Sequence, residues 1–151
     1  MTKISFGRLF VGGLIASIFL FLTDGLLHEQ VFHQYWEYVY QGLGAHEPQM
    51  GHGIAVLYFL VFEFGRGFLA ILLYVLMRPF SGPGPMTAVF AAVVAWAAFS
   101  VAGPAQFIPL GFYSRRLWMI VAVAQLVTSV VANVLGAWLY RDPVTTTAAV
   151  Q

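Results

Sequence analysis

The chain has 151 residues, of which 60% are hydrophobic and only 9% charged, with a net charge of +1 and a mean hydropathy of +0.82. Soluble domains carry about 25% charged residues, so this composition excludes a water-covered globular surface, and the near-zero net charge excludes a nucleic-acid partner. The absence of Cys removes disulfides, thiolate metal sites and Cys nucleophiles together.

The first apolar run covers residues 6–27, close to the roughly 20 residues that cross about 30 Å of hydrocarbon. Lys3 and Arg8 precede it as in a leader peptide. The run is long, however, and Thr23-Asp-Gly-Leu-Leu-His-Glu is not a small-residue cleavage site, so it reads as a retained anchor. Asp24 lies in its last turn, beside Gly25. There it is expected to reach interfacial water or cap the next helix, with pairing to His28 or Arg115 as the alternative. Gly12 and Ala16, and Gly13 and Ser17, stand four apart and permit close helix approach.

Residues 28–41 read as an interfacial amphipathic helix. Val31, Tyr35 and Val39 form a stripe joined by Phe32, Trp36 and Leu43, while Glu29, His33, Glu37 and Gln41 follow i+4 steps on the polar side. Trp36, Tyr35, Tyr38 and Tyr40 suit the headgroup level, so the helix is expected to lie on the outer surface. Gly42, Gly44 and Pro48 end it.

All four His (His28, His33, His46 and His52) fall on this outer side. His28-Glu29-Gln-Val-Phe-His33 looks like a zincin motif, but its i+5 step turns the second ring away by about 140°. Glu29, His33 and Glu37 do share a face, as do Asp24 and His28, which makes Zn or another divalent ion one option. Haem or pigment ligation by His28 and His52 is another, with Gly51 and Gly53 leaving room beside the second ring. Plain polar interface residues with no cofactor are the simpler expectation.

The second run, residues 53–77, carries Glu63 and Arg66 in an otherwise apolar stretch. Charges at bilayer depth cost several kcal/mol unless paired or facing a polar cavity. The i, i+3 spacing puts the two on nearly one face, where they neutralise each other. Next comes Arg78-Pro-Phe-Ser-Gly-Pro-Gly-Pro85, whose Pro and Gly content is expected to stop the helix and make a tight, stiff cytoplasmic turn. The third run, residues 85–103, has Ala91, Ala92, Ala95, Ala97 and Ala98 as a small-residue seam. Residues 104–113 are short and apolar, and are expected at the outer interface.

The fourth run, residues 117–140, spaces Gln125, Ser129 and Asn133 at i, i+4 and i+8, nearly extended by Gly136. Amides in hydrocarbon need partners, and this stripe sits at about the depth of Glu63 and Arg66. It is therefore expected to face the second span, with Arg66 satisfying Glu63 and one or two amides. A hydrogen-bonded clamp fixing helix register is the structural reading of this buried polar cluster. A proton or ion relay, or a polar headgroup site, is the functional one. The tail, residues 142–151, has no pattern and is expected to be mobile unless a partner holds it.

Lys3, Arg8, Arg78 and Arg141 collect on one side against Arg115 and Arg116 on the other, which favours both termini inside. No internal repeat or broken half-helix is apparent. There is no P-loop, dinucleotide fingerprint or nucleophile elbow, so no enzymatic activity is expected.

The loop Arg78-Pro-Phe-Ser-Gly-Pro-Gly-Pro-Met-Thr-Ala88 and the ending Gly136-Ala-Trp-Leu-Tyr-Arg141-Asp resemble a group of small bacterial four-span membrane proteins, over the second span through the fourth. The resemblance implies a bacterial inner-membrane location. It implies no activity, cofactor or site residue.

The expected fold is an all-α integral membrane bundle of four transmembrane helices, forming one domain with one interfacial helix between spans one and two. Three functions follow as expectations. The first is a non-catalytic integral subunit or assembly factor of a respiratory or photosynthetic complex, held by a membrane-protein partner or as a homo-oligomer in the lipid bilayer. The second is a small carrier or channel using Glu63, Arg66 and Gln125. The third is a haem, pigment or metal binder using the outer His.

Overall fold

The computed structural model of the protein describes residues 4–42, 54–112 and 114–140, with the side chain of Ala55 left aside. Every regular element in these residues is helical: α1 (Phe6–Leu26), α2 (His33–Gly42), α3 (Ile54–Ser81), α4 (Pro85–Trp96) and α5 (Arg115–Leu139). Two widened, π-helical segments prolong them. Leu27–Val31 continues α1, and Ala97–Ala102 continues α4 into a last turn at Gly103–Ala105. Counted with these extensions, four helices of 21 to 26 residues are long and apolar enough to cross a bilayer. About a third or less of each is buried inside the bundle, and lipid tails cover the rest. This is a multi-pass membrane protein.

The four spans form a closed ring in which α1 packs on α3 and α5, and α4 packs on the same two helices. Small residues set the spacing. A Cβ on Gly12 would lie 2.7 Å from the Gly136 carbonyl oxygen, and one on Gly136 would lie 2.6 Å from that of Gly12. The α1–α5 seam is therefore backbone against backbone, the close approach expected of small residues in spans. Ser17 sits against Gly67 and donates to the Gly13 and Phe64 carbonyls, at 2.7 and 3.2 Å. Of the small-residue seam read in span three, Ala91, Ala92 and Ala95 are buried, whereas Ala97 is half-buried and Ala98 exposed.

Several boundaries differ from expectation. The helix does not stop before Pro79. α3 runs on to Ser81 with Pro79 in its last turn, where a missing N–H removes a single bond. The turn then closes on Gly82, which takes a φ of +78° that favours glycine, and whose carbonyl accepts from the Thr87 hydroxyl at 2.7 Å. Span one reaches Val31, so α2 starts only at His33. Part of the expected apolar face packs on the bundle, and the polar residues Glu29, His33, Glu37 and Gln41 are exposed. Val31 and Tyr35 are exposed, while Phe32 is buried and Trp36 folds back onto His28.

At the end of the bundle opposite α2, the Ser5 N–H donates to the Tyr140 hydroxyl at 3.1 Å. The Arg78 guanidinium lies over the Tyr140 and Tyr74 rings, 5.1 and 5.8 Å from their centroids. Leu43, Gly44, His46, Glu47, Pro48, Gly51, His52, Gly53, Tyr113, Arg141 and the 142–151 tail, on which several expectations rest, lie outside the described residues.

Candidate functional site

Arg66 is 1% exposed and sits at the centre of a charge cluster shared by three spans. Its Nη1 lies 2.7 Å from Asp24 Oδ2 and 3.2 Å from each oxygen of Glu63, and both acids are 0% exposed. Nη2 donates to Ser129 Oγ at 3.3 Å. The second oxygen of Asp24 accepts from the Thr128 hydroxyl at 2.8 Å. α1 thus supplies Asp24, α3 supplies Glu63 and Arg66, and α5 supplies Thr128 and Ser129.

The Glu63–Arg66 pair and the inward stripe of α5 stand where their spacing put them, with Gln125, Ser129 and Asn133 all buried. Three details differ. Asp24 is not an interfacial residue. The helix runs seven residues beyond it, Gly25 and Leu26 in α1 and five in the π extension, sinking it by about 10 Å at 1.5 Å per residue, which brings it level with the acid and base of α3. Its partners are Arg66 and Thr128, not Arg115. The side chain of α5 that meets Arg66 is the Ser129 hydroxyl and neither amide. Asn133 instead donates across to the Ala88 carbonyl of α4 at 2.7 Å.

Next to Glu63 the bundle holds a cavity of about 220 Å³ at the α2 end. Its polar lining is Glu63, Gln125, Ser100 and His28; its aromatic walls include Trp36, Trp118, Phe59, Phe62 and Phe99. Both π-helical segments contribute to it, the first through His28 and the second through Phe99 and Ser100. Such widened turns are frequent at functional sites. Ser100 Oγ and Trp118 Nε1 are buried there with no hydrogen-bond partner, and Glu63 Oε2 has only its ion-pair contact to Arg66. In the opposite direction the core is closed by apolar packing of Leu20, Ile71, Val75, Ala91 and Ala132.

Comparison with protein-family models, curated proteins and solved structures yields no match for this chain. The site must therefore be read from its own geometry.

His28 is engaged rather than free. The Trp36 indole N–H donates to its Nδ1 at 2.8 Å, and Phe32 and Phe59 pack against the ring. Nδ1 is thus an acceptor without a proton, and Nε2 carries the hydrogen. Ligation of a metal or haem iron through Nε2 would require this tautomer to reverse and the Trp36 bond to break. Glu29 and His33 are exposed, Asp24 is committed to Arg66, and His52 lies outside the described residues. Among the described residues no group of three or more acidic or His side chains is arranged to hold a metal ion.

Asp24, Thr128, Ser100 and Trp118 were not singled out as cluster or cavity residues by sequence reasoning. Asp24 carried a usable signal, an acid i−4 to His28 in an apolar helix. The others are ordinary interface or helix residues until the bundle assembles.

Proposed function

We propose that this chain is a small membrane carrier that takes a proton or cation into the Asp24–Arg66–Glu63 cluster from the α2 end. The charge count carries the reading. Two fully buried carboxylates share one guanidinium, leaving one negative charge in excess when both are ionised. A clamp that fixes helix register needs one carboxylate per Arg. An unmatched charge at this depth is costly, so a second acid that adjoins a cavity is better understood as a place for a proton or cation. The closed apolar packing on the far side favours a carrier over an open channel.

Basic residues favour the α2 end outside and both termini in the cytoplasm of a bacterial inner membrane. By sequence, Lys3, Arg8, Arg78 and Arg141 flank one end of the spans against Arg115 and Arg116 at the other.

Flux in proteoliposomes tests the reading. Wild-type protein is expected to dissipate an imposed proton or monovalent cation gradient, and Glu63→Gln to abolish this. Equal flux for the two proteins removes the carrier function.

A second reading is an integral subunit or assembly factor of a larger energy-transducing complex. It draws on Gly65, which is exposed on α3 with nothing within 4 Å of a Cβ placed there, a notch suited to a partner helix. Blue-native electrophoresis of native membranes distinguishes the two, since migration at monomer size without co-purifying subunits counts against a subunit.

A further inference from the structure

We infer that the aromatic cavity beside Glu63 is a binding site for a small organic ammonium ion, an amine or methylated amine carrying a compact apolar body. This rests on the carrier reading and names the class of cation.

The walls and the floor of the cavity ask for different things. Trp36 and Trp118, with Phe62 and Phe99 in edge contact at 5.7 Å, present aromatic surface. Glu63 brings a carboxylate whose Oε2 makes no hydrogen bond, in a cluster with one negative charge in excess. Aromatic faces around an anionic end attract a desolvated ammonium group through ring quadrupole and charge together. The partnerless Ser100 hydroxyl is a ready acceptor for an ammonium N–H.

Other classes fit less well. A carboxylate or phosphate ligand would add negative charge to a site already in excess. A neutral amphiphile would leave that excess uncompensated. A transition-metal ion needs several acidic or imidazole donors at once, and among the described residues no group of three or more such side chains is placed to hold one. A volume of about 220 Å³ holds about seven waters at liquid density, which sets the ligand near the size of benzylamine.

The site is also built by elements that meet only in the folded bundle. His28 comes from the π extension of α1, Trp36 from α2, Glu63 from α3, Ser100 from the π segment after α4 and Trp118 from α5. The Trp36–His28 bond holds α2 over the cavity, so the short helix forms part of its wall.

Isothermal titration of the full chain in phosphatidylcholine nanodiscs tests this, with empty nanodiscs as the baseline. Benzylammonium is the probe and benzyl alcohol its uncharged counterpart. Saturable benzylammonium binding is expected, at least tenfold tighter than benzyl alcohol. Glu63→Gln is expected to weaken it at least tenfold. Val121 also lines the cavity, and Val121→Trp, which fills it, is expected to abolish amine binding. Equal binding of the two probes, or amine binding that survives Val121→Trp, overturns the inference. Flux insensitive to Glu63→Gln while amine binding persists overturns the carrier reading instead, so the two failures are separable.

Discussion

Asp24 Oδ2 lies 2.7 Å from Arg66 Nη1, half an ångström closer than either oxygen of Glu63, although Glu63 is on the same helix as the arginine and Asp24 is not. The shortest ion pair of the bundle therefore joins α1 to α3, while the longer i, i+3 pair within α3 is the hydrogen-bonded one.

Removing the arginine should be the most damaging single change in the cluster. Arg66→Met strands two carboxylates that have no other cationic partner among the described residues, and losing one partner of a buried pair costs about 3–5 kcal/mol. The triple variant Asp24→Asn/Glu63→Gln/Arg66→Met removes all three charges and should be clearly more stable than Arg66→Met alone. Unfolding of the purified variants by sodium dodecyl sulfate in mixed micelles checks the order, and a triple variant that is the least stable would contradict the pairing.

The two acids should not be equivalent. Asp24→Asn loses the closer ion pair and weakens the bond from Thr128, so it should lower stability more than Glu63→Gln. Thr128→Val should cost less than Asp24→Asn, about 0.6 kcal/mol, as expected of an average interhelical hydrogen bond in a membrane. The same unfolding assay on three single variants decides this.

The glycine seam gives a test independent of charge. Gly136→Ala puts a methyl group 2.6 Å from both the Gly12 carbonyl oxygen and an Ile71 carbon. Backbone cannot yield as a side-chain tip does, so α1 and α5 must separate, at a cost of about 1–3 kcal/mol. Gly65→Ala, with nothing within 4 Å of the added carbon, should change stability little. A seam variant as stable as this control would show that the helices approach differently.

Trp36→Phe keeps an aromatic ring but loses the 2.8 Å bond to His28. Residues 33–42 should then exchange their amide hydrogens faster, while α3 and α5 stay protected. Hydrogen exchange by mass spectrometry reads both regions in one experiment, and unchanged exchange in α2 would mean that other contacts hold it.

Much of this architecture was legible from apolar run length, and the inward faces of α3 and α5 from polar residues at helical spacing. Glu63, Arg66, Gln125, Ser129 and Asn133 needed only periodicity. Asp24 was misplaced because its depth depends on where span one ends, and the π extension through Val31 leaves no mark in composition. The cavity was invisible because its residues come from five separate places in the chain, each unremarkable alone.

The order in which the charged residues occur along the chain bears on how the protein enters the membrane. Asp24, Glu63 and Arg66 all belong to α1 and α3, which are synthesised before α4 and α5. Acid and base can neutralise each other while the ribosome is still working, before either later span exists. What the final span adds to that trio, Thr128 and Ser129, is uncharged, so the arginine need not wait in the lipid without a counter-ion for the end of translation.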